Sequence, residues 1–174
     1  MANLSSILKH NQSFVEDTRL LELLHHAMGL KNGDAKIIKN AGAVVSHPFG
    51  SVMRSILVAV YELQAEEVCI IGHHECGMAS LNASAIFEKA TQRGVKAECL
   101  ELLANAGIDL NSWMTGFDSV EDSVKYSVKM VRNHPLMPED VPVHGLVIDP
   151  KTGGLEVVED GYSQKNVSLS GNTG

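Results

Sequence analysis

The stretch that most constrains this chain is the apolar run Glu67-Val68-Cys69-Ile70-Ile71-Gly72, followed without a break by His73-His74-Glu75-Cys76-Gly77. A β-rich run with so few polar residues reads as a central strand covered on both faces, the kind found in α/β sheets. The residues that follow it stand at the carboxyl end of that strand, where open α/β sheets bind their ligands. His73 and Cys76 would bring an imidazole and a thiolate together there. Zinc accepts that donor mixture, and a catalytic zinc takes three protein ligands and keeps one position open for water. His74 competes with His73 for the role. A plainer reading makes Cys76 a small hydrophobe at a helix start and His73 a hydrogen-bonded turn residue.

The rest of the chain alternates helical and strand-like patterns, which favours an α/β sheet over a helical bundle. Residues 3–14 read as a short helix. Leu20, Leu21, Leu23, Leu24, Ala27 and Met28 have helical spacing, with Gly29 where a left-handed C-cap would end the helix. The turn 31–34 leads into a short strand at 35–39, and Ser46 is placed as N-cap, with Pro48 in the first turn, of a helix through Met53, Ile56, Leu57, Val60 and Leu63. Residues 78–92 and 95–106 read as helices, and Ser119 opens another that ends before Pro135. A strand over 141–149, a turn at Lys151-Thr152-Gly153-Gly154 and an antiparallel strand at 155–158 complete the sheet. The fold class expected is α/β: a short, mainly parallel sheet with an antiparallel edge strand and helices on both faces. Residues 1–162 are taken as one domain, with 163–174, rich in Ser, Asn and Gly, as a disordered tail.

Composition narrows the partners. Fourteen Lys and Arg against twenty-one Asp and Glu leave a formal net charge of −7, a field that repels phosphate backbones, so no nucleic acid is expected. No run approaches the ~20 apolar residues that span a bilayer, and the N-terminus lacks a secretory pattern. The expected location is the cytoplasm, with no membrane partner. Three cysteines, Cys69, Cys76 and Cys99, suit thiols or metal ligation better than a disulfide framework. Cys69, inside the strand, reads as a core thiol, and Cys99 as structural.

Asp17-Thr18-Arg19 supplies a carboxylate and a guanidinium two residues apart, close enough for Arg19 to pair with Asp17, orient it and lower its pKa. Asp17 equally suits the N-cap of the helix that follows. Asn40-Ala41-Gly42-Ala43 is a small-residue turn where backbone can approach a ligand closely.

Taken jointly, 30–35, Lys39-Asn40-Ala41-Gly42, Gly72-His73-His74-Glu75-Cys76-Gly77 and Val143-His144-Gly145 resemble the β-class carbonic anhydrases, from about Asp17 to Tyr162. The resemblance implies a zinc cofactor held by His73 and Cys76, a zinc-bound hydroxide that converts carbon dioxide reversibly to bicarbonate, and a homodimer or larger homo-oligomer. It also implies that Asp17, oriented by Arg19, accepts a hydrogen bond at the metal site or serves as a ligand. The family pattern has a cysteine, its first zinc ligand, two residues before this aspartate. Here Val15 stands in that place, and the chain reads as though a segment holding the family's first strand and that cysteine had been deleted. Asp17, Glu16 or a partner subunit's side chain are the candidate substitutes for the third ligand. Three activities therefore follow as expectations: carbon dioxide hydration, an impaired carbonic-anhydrase-like protein that binds or scaffolds, and hydrolysis of a related linear molecule such as carbonyl sulfide or carbon disulfide.

Overall fold

The computed structural model describes residues 3–9, 27–31 and 33–163. The chain divides into two compact units, one running to Cys76 and resuming at Val120, the other spanning Gly77–Ser119. The expected disordered tail lies outside the described residues apart from Ser163, whose hydroxyl donates to Asp160 Oδ2 at 2.9 Å.

The first unit is built on a three-stranded mixed sheet in the order β1-β2-β3. Strand β1 (Val68–His73) pairs in parallel with β2 (Val143–Ile148), and β2 pairs antiparallel with β3 (Leu155–Glu159). The antiparallel edge strand and its turn stand where the sequence places them. Asp149 N–H donates to Gly154 O at 2.9 Å and Gly153 N–H to Asp149 O at 2.7 Å, closing the hairpin. The central strand is β2, buried from Val143 to Val147. That corrects the placement of 67–72 as the central strand: β1 is mostly half-buried, and among the described residues it has a neighbour on one side only.

A second correction concerns 35–39. These residues are unpaired among the described residues, with Ile37 and Ile38 exposed. A strand needs a ladder partner, and a slot separates this segment from β1.

Helix α1 (Ser51–Leu63) buries Met53, Ile56 and Val60, and its N-cap is Gly50, four residues past the Ser46 cap expected. The cause is a turn, closed by Gly50 N–H to His47 O at 3.1 Å, that places Pro48 at its second position. Residues 4–9 are helical, with Leu4 and Ile7 buried, and Gly29 has φ 67°, as a left-handed helix stop requires. The remainder of the 3–14 helix and the leucine stripe at 20–24 lie outside the described residues.

One face of the sheet is covered by a helix whose label is α5 in chain order (Val120–Arg132). Val124, Ser127, Val128 and Val131 are almost fully buried, while Glu121 and Asp122 in the first turn and Lys129 and Arg132 in the last match the helix dipole. The helix approaches at two glycines. A Cβ on Gly72 would stand 2.6 Å from Val120 Cγ2, and one on Gly145 would stand 2.8 Å from Val124 Cγ1, so only hydrogen fits.

The second unit is helical. Gly77–Ser80 is a 3-10 turn, and α2 (Ala83–Gln92), α3 (Ala97–Asn105) and α4 (Leu110–Met114) follow. Instead of one helix over 78–92, the chain restarts at Asn82, whose side chain caps α2 by accepting from Ala85 N–H at 3.1 Å. Asp109 caps α4, an element the periodicity does not announce, by accepting from Ser112 N–H at 3.0 Å.

Candidate functional site

His73 is the last residue of β1, and Cys76 closes the turn after it, so both stand at the carboxyl end of the parallel pair. Three contacts hold this turn. The His74 N–H donates to Ile148 O at 3.1 Å, extending the β1–β2 ladder one residue past the strand. Glu75 forms an ion pair with Lys151, beyond the end of β2. The His74 ring lies 3.8 Å from Glu121 at the start of α5. Glu75 itself sits at φ 57°, a left-handed conformation that a non-glycine residue adopts only when its surroundings enforce it.

The imidazole of His73 is exposed, and its Nδ1 lies 2.9 Å from His74 O. With a carbonyl as partner, Nδ1 carries the proton, and the Nε2 lone pair is left for a metal. Cys76 is a half-buried free thiol. Cys69 is half-buried too, rather than in the core as expected, and burial, reinforced by Glu67, pushes its thiol up to about 12, so it stays protonated. Cys99 is free and exposed. Asp17 and Arg19 lie outside the described residues, as does Glu16.

These donors fit zinc in kind and fall short in number. Imidazole and thiolate are zinc ligands, yet among the described residues no three His, Cys, Asp or Glu side chains cluster as a metal site would need. A third ligand has to come from outside the described residues or from another chain.

At the opposite end of β1 lies a polar cluster that sequence spacing does not announce. Glu67 Oε2 accepts from Leu4 N–H at 3.0 Å and lies 3.8 Å from His144 Nε2, while Glu67 Oε1 accepts from the Tyr162 hydroxyl. His144 is fully buried, accepts from Gly161 N–H at Nδ1 (3.1 Å), and packs edge-on against Tyr162 with ring centroids 4.7 Å apart. Burial lowers the pKa of His144, although Glu67 and Asp160 pull it up. The three residues lie far apart in the chain, so only the pairing of β1 with β2 and the return after β3 bring them together.

The family model for carbonic anhydrases matches residues 16–155. This chain is a member of the carbonic anhydrase family. Among its relatives is YvdA of Bacillus subtilis, named provisionally as a carbonic anhydrase, 61% identical over 191 aligned positions that cover 97% of each chain. Since this chain has 174 residues, at least 17 of those positions have no residue here. A carbon disulfide hydrolase of Acidithiobacillus thiooxidans is 30% identical over 138 residues, covering 74% of this chain and 67% of that one. The β-carbonic anhydrase isoform I of Trichomonas vaginalis has the same fold, with a TM-score of 0.73 at 31% identity, covering 93% of this chain and all of the other. The β-class fold expected from the motifs is therefore the one present, and the shortfall against YvdA matches a chain that lacks an internal segment.

Proposed function

We propose that this carbonic anhydrase family member is a zinc-dependent lyase that hydrates carbon dioxide to bicarbonate, with His73, Cys76 and Asp17 holding the metal. The observation that carries this reading is the placement of His73 and Cys76 together at the carboxyl end of β1. Bound there, zinc supplies a nucleophile from water near neutral pH.

The chain's own residues prepare that site. The His74 carbonyl holds the His73 ring with Nε2 free, and Cys76 contributes an anionic sulfur. Arg19 pairs with Asp17 and keeps it ionised, either as a ligand or as an acceptor for a proton at the site. The Glu75–Lys151 ion pair and the His74–Ile148 bond keep the turn from drifting as the metal enters. The expected oligomer has support in exposed Phe49, Leu102 and Trp113, apolar groups that a second copy would cover. Among the described residues no helix is long and apolar enough to cross a membrane.

Val15 in the place of the family's cysteine favours a second reading, a fold that binds zinc weakly and turns over slowly. Stopped-flow carbon dioxide hydration by the wild type and by Cys76→Ser separates the two. Activity abolished by the substitution supports the lyase, and wild-type activity at the uncatalysed rate supports the second. Carbon disulfide in the same assay covers the activity that the Acidithiobacillus relative is named for.

A further inference from the structure

His144 is fully buried, yet its Nε2 has no hydrogen-bond partner among the described residues. Nδ1 accepts from Gly161 N–H at 3.1 Å, so the neutral ring carries its proton on Nε2. A carboxylate stands just beyond bonding distance of each nitrogen: Glu67 Oε2 lies 3.8 Å from Nε2, and Asp160 Oδ1 lies 3.6 Å from Nδ1. Cys69, the register partner of His144 on β1, and Tyr162, edge-on to the ring, both have raised pKa values and keep their protons. The amino-terminal helix reaches the cluster through the Leu4 N–H. Helix α5 packs on the other face, at Gly145, where Arg132 is paired with Glu159. Among the described residues, Glu67 and Asp160 are therefore the charged groups that face the ring.

What His144 holds is the return of the chain after β3. Gly161 rests on the backbone of Val143, where a Cβ would stand 2.7 Å from Val143 N and O. The next residue, Tyr162, lies against the ring and donates its hydroxyl to Glu67 Oε1. One tie thus ends on an imidazole lone pair and the other on a carboxylate. A second proton on the ring, at Nδ1, occupies that lone pair and sets two donors, Nδ1–H and Gly161 N–H, against each other across 3.1 Å. The imidazolium then favours Asp160 at Nδ1 and Glu67 at Nε2, and Glu67 is the group that holds Tyr162. A single proton weakens both ties.

We propose that His144 is a proton-operated latch, which clasps the Gly161–Tyr162 turn to the amino end of β1 and β2 when neutral and lets that turn go when protonated, while the sheet stays folded. Burial lowers the pKa of the latched ring below its ordinary 6.5, whereas the opened ring meets water beside two carboxylates and binds a proton more readily. The open form therefore gains on the latched one as the pH falls below the ordinary histidine range, by up to ~10-fold per pH unit for one proton. The latch lies at the end of β1 opposite His73 and Cys76, and its test reads neither zinc nor activity.

That test is NMR on the full chain from pH 7.5 to 5.5. Three signals are followed: Gly161 amide exchange relative to an unstructured chain at the same pH, NOEs between the Tyr162 and His144 rings, and the imidazole nitrogen shifts. At the upper pH a protected Gly161 amide, ring NOEs and an unprotonated Nδ1 are expected. On acidification, Gly161 protection and the NOEs should decline along one curve with protonation of Nδ1, while the Val124 and Val128 amides in α5 remain protected. His144→Asn keeps an acceptor for Gly161 and takes up no proton, so it should hold the turn across the whole range. Protection and NOEs that do not change with pH in the wild type would overturn the proposal. So would the same loss in His144→Asn, which would assign the titration to Glu67 or Asp160, or a loss shared by α5, which is unfolding of the whole sheet. Should His144→Asn fail to fold, the wild-type curves decide, and separate midpoints for Nδ1 protonation and NOE loss would overturn the latch.

Discussion

The backbone N–H of His74 donates to the carbonyl of Ile148 at 3.1 Å, which ties the turn carrying His73 and Cys76 to the end of the most buried strand in the sheet. The two donors therefore stand on a rigid base although both are accessible, and their loss should affect metal binding more than folding.

Cys76→Ser and His73→Ala are each expected to weaken zinc binding by more than the ~10–100-fold typical of an outer-shell partner, while thermal unfolding stays within a few degrees of the wild type. Zinc titration against a competing chelator, with circular dichroism melting on the same samples, checks both halves.

Tyr162→Phe removes the hydroxyl that Glu67 accepts, and Glu67→Gln weakens the bonds to Tyr162 and to Leu4 together. The expected cost is about 1 kcal/mol for the tyrosine and about 1–3 kcal/mol for the glutamate, read from urea midpoints. Equal costs near zero would show that the cluster contributes nothing to the fold.

His144 sets a pH dependence. Its folded pKa lies below the ordinary 6.5 because burial penalises the imidazolium, so below that pH the unfolded chain binds a proton that the folded chain refuses. The contribution is absent above about pH 6.5 and grows as the pH falls toward the folded pKa, lowering stability. Urea midpoints should therefore drop between pH 7.5 and 5.5. In His144→Asn, which keeps an acceptor for Gly161, the drop should be smaller.

Gly72→Ala drives a methyl into Val120 and Val124, with contacts of 2.6 and 2.8 Å. A cost of about 1–3 kcal/mol is expected from overpacking, partly recovered in the double variant with Val124→Ala. Absence of any recovery would place the cost elsewhere than at the α5 contact.

Local signals were legible in the sequence. The apolar runs of β1 and β2, the Gly153-Gly154 turn and the dipole-matched ends of α5 each depend on neighbours a few residues away. What depended on distant partners was not legible. Ile37 and Ile38 have β-type side chains, but a strand exists only when a ladder partner lies alongside, and the described residues offer none. Ser46 has capping chemistry, yet the turn at His47–Gly50 delays the helix. The site shows the same division: His73 and Cys76 follow from spacing after a strand, whereas the Glu67–His144–Tyr162 cluster spans 95 positions of the chain and only the folded sheet assembles it. Asp17 and Arg19 rest on the family resemblance.

The most direct measurement is zinc per chain, by elemental analysis of folded protein purified without chelator, alongside Asp17→Asn. One zinc per wild-type chain, falling well below one in the variant, is the result predicted for a site completed by Asp17. A well-folded wild type carrying no zinc would contradict the account.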